Sequence, residues 1–116
     1  MKIIYKAKAV NLDIKKVNTF GKFLGLMFRS AKKSKNLLFE FEKNTSTSFH
    51  SCFVFFPFLI LWLDSNNKVI EYKIVKPFTF KVSCSKKFKK CIEIPLKKEN
   101  KAIIKFFVGK RKDLNI

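Results

Sequence analysis

A chain of 116 residues, 47% hydrophobic and with 15 phenylalanines, is long enough for one domain with its own core and too apolar for disorder. Three glycines and three prolines exclude a fibrous or low-complexity chain. The formal charge of +18 brings anionic partners forward: nucleic acid, acidic lipid headgroups or a phosphorylated ligand.

Residues 2–9 alternate, Ile3, Tyr5, Ala7 and Ala9 against Lys2, Lys6 and Lys8, which predicts one half-buried strand. Asn18 or Thr19 can cap a short helix near residues 19–28, where Phe20, Phe23, Leu24 and Met27 recur at helical spacing. The basic stretch 30–36 is a loop. Leu37, Phe39 and Phe41 against Glu40 and Glu42 predict a second strand, and 43–48 a second loop.

Residues 49–56 and 58–63 are apolar on both faces, as in interior strands of a covered or closed sheet. Pro57 between them marks a bend, bulge or edge. Residues 64–68 compose a hairpin turn, followed by a return strand with Ile70, Tyr72 and Ile74 on one side. After Pro77, alternating Phe78, Phe80, Val82 and Cys84 predict another strand, and 86–90 a basic loop. Residues 91–94 form a short strand ended by Pro95, 97–101 a turn or helical turn, and 102–108 a last apolar strand. Together these predict one domain over 1–116, mainly β (α+β): a small barrel-like or sandwich-like sheet of six to eight short strands with one short helix.

Of the 26 basic residues 24 are lysines, and only Arg29 and Arg111 are arginines. AT-rich coding bias enriches Lys, Asn, Ile and Phe together, whereas dedicated nucleic-acid surfaces recruit the planar, bidentate Arg as well. The charge therefore has two readings, a working anion surface and compositional drift. Cys52, Cys84 and Cys91 are odd in number with no CxxC spacing, which suits a reducing compartment. The first residues, MKIIYKAKAVNL, lack the apolar core of a secretory signal. The apolar run 52–63 is interrupted by Pro57 and too short for a transmembrane helix. A cytoplasmic location is expected.

The run Gly25-Leu26-Met27-Phe28-Arg29, then Leu38-Phe39-Glu40-Phe41, then FHSCFVFFP at 49–57 resembles the domain of unknown function 192 family, also called uncharacterised protein family 0127. The likeness continues through Leu63-Asp64, Val69-Ile70-Glu71, Pro77 and the Ile92–Pro95 segment, covering roughly residues 10 to 110. The His-Ser-Cys version is similar to archaeal members. The resemblance implies a mostly β domain with one short helix and carries no known activity. Many members have an acid two positions after the proline, where Leu59 stands here, and Gly-Asp where this chain has Gly109-Lys110.

His50 and Cys52 fall on one face of the predicted strand, about 7 Å apart by strand geometry. An imidazole and a thiolate so placed could bind a transition metal or act as base and nucleophile, provided Cys84 or Cys91 converges on the same point for zinc. The plainer role for both is core packing. Arg29 could clamp a carboxylate or phosphate, or pair internally with Glu40, Glu42 or Glu71. With Ser51, these residues border the expected ligand site. Lys32, Lys33, Lys35, Lys86, Lys87, Lys89 and Lys90 are anion or nucleic-acid candidates, and Phe88 is placed to stack a base or to turn inward.

The first functional reading is thus a non-enzymatic binding module for an unidentified ligand, with no cofactor and no metal. The second is a nucleic-acid or other polyanion-binding domain acting through lysine loops. The third is a metal- or thiol-dependent enzyme.

Overall fold

The run FLILWL, apolar at every position, demands cover on both faces, and that demand organises the fold. The structure is a computed structural model that describes residues 1–17, 30, 33–49 and 54–109. It contains β1 (Lys2–Tyr5), β2 (Lys8–Asn11), β3 (Lys15–Lys16), β4 (Leu37–Thr45), β5 (Phe58–Leu63), β6 (Val69–Val75) and β7 (Phe88–Pro95). A 3-10 turn (Lys98–Asn100) leads into helix α1 (Lys101–Val108). β1 and β2 form an antiparallel hairpin; the other five strands form one sheet in the order β3-β4-β7-β5-β6, antiparallel except for the β3–β4 pair.

Register converts alternation into two cores. Leu38, Ile92, Leu61 and Tyr72 lie side by side across β4, β7, β5 and β6 on one face. One residue along, Phe39, Cys91 and Trp62 do the same on the other. The first face is covered by Ile3 and Val10 of the hairpin and by Ile103, Ile104 and Phe107 of α1. The second is covered by Val54, Phe56, Val82 and the partly buried Phe49 and Cys84 from the connecting segments. All six side chains of β5 are buried, each contributing up to about 1.5–3 kcal/mol. Double cover also explains Glu93, only 4% exposed although it alternates with Ile92 and Ile94.

The expected mainly β architecture with a short helix is present, in sandwich-like form. Among the described residues the sheet is not closed into a barrel: β3 and β6 are its edges. Four local expectations need correction. The single strand over 2–9 is a hairpin, turned by Lys6 and Ala7 with φ of 49° and 65°; no Gly, Asn or Pro announces this turn. Residues 102–108 are helical, not extended. Ile103, Ile104 and Phe107 fall on one helical face with Lys101 and Lys105 opposite, a short run that fits either period. Phe78 and Phe80 do not alternate into a core: residues 76–81 form an irregular loop, and Val82 makes only an isolated bridge to Phe49. Residues 54–56 are likewise irregular rather than the end of a strand. The helix expected near 19–28 lies outside the described residues. Among those described, no helix is long and apolar enough to cross a membrane.

Candidate functional site

The four candidates for the ligand site, Arg29, His50, Ser51 and Cys52, all fall outside the described residues, as does Lys32. The remaining candidates are dispersed. Lys86 and Lys87 are exposed on the segment before β7. The expected basic loop ends there, because Phe88 already pairs with Thr45 and begins the strand. Phe88 is fully buried, its ring 5.8 Å from Phe41, 6.0 Å from Phe49 and 6.3 Å from Trp62. Of the two roles expected for Phe88 the inward one is observed, and base stacking is set aside because neither ring face is open. Lys89 donates to the Phe41 carbonyl, and Lys90 donates to Asn67 Oδ1 at 2.6 Å. These two lysines brace the β4–β7 region and the β5–β6 turn.

The described thiols are unsuited to nucleophilic work. Burial raises Cys91 well above the ordinary thiol value, and burial likewise raises Cys84, so both remain protonated near neutrality. Among the described residues, no three His, Cys, Asp or Glu side chains gather within reach of one metal ion.

Lys33 and Lys35 lie on the segment leading into β4, and Lys35 lines a cleft of about 710 Å³. The cleft opens where the end of the hairpin, residues 34–36 and the start of α1 meet. Its apolar side consists of Val10, Leu12, Ile14, Ala102, Ile103 and Phe106. Its polar side is set by Asn11, Asp13, Lys35, Asn36, Lys97, Glu99 and Asn100.

Local hydrogen bonds hold this rim. The N-terminal ammonium donates to the Leu12 carbonyl at 2.9 Å, while Leu12 N donates back to the Met1 carbonyl at 2.7 Å. Asn36 Nδ2 donates to the Asp13 carbonyl at 3.0 Å, and Lys15 N donates to the Asn36 carbonyl at 2.7 Å. Lys97 donates to the Ser34 carbonyl. The buried Asn100 donates through Nδ2 to the Pro95 carbonyl at 2.7 Å, tying the end of β7 to the start of α1. Asn36 Oδ1 is shielded from solvent and has no hydrogen-bond partner among the described residues.

Two cations, Lys35 and Lys97, face two anions, Asp13 and Glu99, so the cleft is balanced in a strongly cationic chain. It can hold an apolar body while exchanging hydrogen bonds with a polar head. Sequence reasoning flagged Lys35 for anion binding but missed Asp13, Asn36, Asn100 and Phe106. The basic stretches 30–36 and 97–101 were visible; their convergence through a hairpin and a terminal helix had no local signal.

The pattern of the family DUF192, described as uncharacterized, matches residues 3–106. The UPF0127 protein PF1050 of Pyrococcus furiosus is 29% identical over 80 residues, covering 68% of this chain and 69% of the relative. Two solved structures share the fold. A Sinorhizobium meliloti protein described as a candidate transcription regulator superposes with a TM-score of 0.71 at 14% identity, covering 88% of this chain and 82% of its own. A Novosphingobium aromaticivorans protein of unknown function superposes with a TM-score of 0.61 at 13% identity, covering 82% and 69%.

Proposed function

We propose, for a chain that belongs to the DUF192 family, that it is a non-enzymatic binding module whose ligand occupies the cleft beside α1. The observation that carries this reading is the cleft itself: about 710 Å³, apolar on one side and polar on the other. That size lies within the range of small-molecule sites, and the few convergent polar groups suit orientation rather than bond-breaking. The balance of Lys35 and Lys97 against Asp13 and Glu99 favours a neutral or zwitterionic ligand over a polyanion.

The nucleic-acid reading has the +18 charge and the Sinorhizobium neighbour's description in its favour, but Phe88 offers it no ring and Lys89 and Lys90 are already engaged. The cleft is therefore preferred.

Ala102 provides a clean test, because it is exposed and lines the cleft outside either core. Ala102→Trp should fill the cleft and leave the fold intact. Titration of 15N-labelled protein with zwitterionic amino acids and neutral nucleosides is expected to move the side-chain signals of Asn36 and Asn100, and Ala102→Trp is expected to weaken that response at least tenfold, the scale of one lost apolar contact surface. Ligand responses elsewhere, or responses indifferent to the tryptophan, would reject the cleft.

A further inference from the structure

The large apolar side chains that stand exposed among the described residues are three phenylalanines: Phe55 at 60%, Phe78 at 54% and Phe80 at 87%. They lie together. The Phe55 and Phe78 rings are 5.6 Å apart, edge to face at 69°, and Phe80 follows two residues later. Phe78 and Phe80 belong to the sequence Lys76-Pro77-Phe78-Thr79-Phe80-Lys81, in which an exposed lysine closes each side.

The loop is built to present these rings. It leaves β6 at the buried Val75 and is caught again at Val82, which exchanges two backbone hydrogen bonds with Phe49 at 2.7 and 2.8 Å. Thr79 Oγ1 donates to the Lys76 carbonyl at 2.8 Å, and Phe78 adopts a φ of 59°. With both ends anchored in the core and a shaped turn between them, the phenylalanines point away from the sheet they would otherwise cover.

We propose that this loop is a docking tip for the surface of an anionic phospholipid membrane. Phe78 and Phe80 enter the boundary between headgroups and acyl chains, Phe55 widens the apolar footprint, and Lys76 and Lys81 meet lipid phosphates. Charge and layering decide the occupant. A bilayer surface offers negative phosphates immediately above hydrocarbon, matching rings at a tip with ammonium groups at its sides. The remaining charge of the chain adds long-range attraction to any anionic plane. A ring as exposed as Phe80 has no surrounding concavity to receive a protein anchor. Single-stranded nucleic acid stacks successive bases on successive open rings, whereas here Phe80 alone stands clear and Phe55 and Phe78 pack edge to face on one another.

The test is co-sedimentation with phosphatidylglycerol-containing vesicles, with pure phosphatidylcholine vesicles and oligo(dT) as comparisons, at physiological salt. Wild-type protein is expected to partition onto the anionic vesicles and not onto phosphatidylcholine. Phe80→Ser should lower that partition on the order of tenfold, and Lys76→Gln with Lys81→Gln on the order of thirtyfold together. Phe80→Ser should unfold at the wild-type midpoint, since its ring touches no core. Phe80→Trp should shift its emission to the blue on anionic vesicles, while the buried Trp62 reports nothing. The proposal is overturned by absent binding to anionic vesicles, by binding indifferent to Phe80→Ser, or by a Phe80 dependence seen with oligo(dT) alone. The cleft beside α1 plays no part in these readouts.

Discussion

Glu71 shows how one side chain couples this protein to pH. Ser85 Oγ donates to its carboxylate at 2.5 Å, Ser85 N donates at 3.3 Å, and the Lys73 ammonium lies 3.6 Å away. The Ser85 hydroxyl is the largest influence; partial burial opposes it, and the net result holds Glu71 below its ordinary value of 4.5. A carboxylate depressed in the folded state stabilises above the unfolded value and loses that contribution as pH falls through the folded one. Glu71→Gln should therefore cost about 1 kcal/mol at neutral pH, one hydrogen bond to a partly exposed carboxylate. Chemical denaturation at neutral pH and again below pH ~4 checks this: the gap between variant and wild type should close in acid. A gap that persists unchanged would remove the role assigned to the ionised form. The same residue anchors Ser85, and so fixes the segment that precedes β7.

At the scale of elements, the β1–β2 hairpin carries an avoidable cost. Its two turn residues, Lys6 and Ala7, both sit at positive φ, where an L side chain crowds its own backbone. The hairpin closes nonetheless because Ile3 and Val10, directly opposite one another, reach the core under α1. Replacing Lys6-Ala7 by Asn-Gly supplies residues suited to that turn and should stabilise the fold by about 1 kcal/mol, after the extra freedom of glycine in the unfolded chain is set against the relieved strain. Urea unfolding measures this; a loss of stability would show that the turn is held by the two side chains rather than despite them. Helix α1 makes the complementary point. Eight residues are too few to be helical alone, and α1 persists because Ile103, Ile104 and Phe107 dock on the sheet while Asn100 ties its start to Pro95.

For the whole molecule the decisive quantity is charge. Lysines occur on the layer formed by the hairpin and α1, at Lys2, Lys6, Lys8, Lys101 and Lys105. They occur equally on the opposite layer, at Lys76, Lys81, Lys86 and Lys87. Ion pairs such as Lys16–Glu40 at 3.4 Å and Lys73–Glu71 at 3.6 Å among the described residues leave that charge unchanged, because +18 is what remains after every carboxylate is counted. A charge of +18 spread in this way repels itself in the folded state, and salt screens that repulsion once the Debye length falls to about 10 Å or less. Raising sodium chloride from about 0.02 M to about 0.3 M should therefore raise the unfolding midpoint, with a gain in unfolding free energy on the order of 1 kcal/mol. A midpoint that falls with added salt would mean that specific ion pairs outweigh the general repulsion.

What was legible in the residues was whatever depends on local alternation. Leu37, Phe39 and Phe41 share a face as their spacing requires; Phe58–Leu63 is interior because no face of it is polar; and 64–68 turns because Asp, Ser and Asn favour turning. The family likeness carried by the chain's motifs holds over residues 3–106. Three features depended on contacts between distant segments. Residues 102–108 became a helix because a sheet face needed cover, whereas the same apolar run read alone suits a strand. Phe88 and Phe80, both next to lysines, took opposite fates: Phe88 was drawn into the core by Phe41, Phe49 and Trp62, and Phe80 was held outside by a loop anchored at both ends. The cleft joins residues 10–14, 34–36 and 97–106, which local pattern cannot bring together. Composition and periodicity determined which residues had to be buried; only tertiary packing decided against what, because burial is a pairing of surfaces and each segment carries only half of the pair.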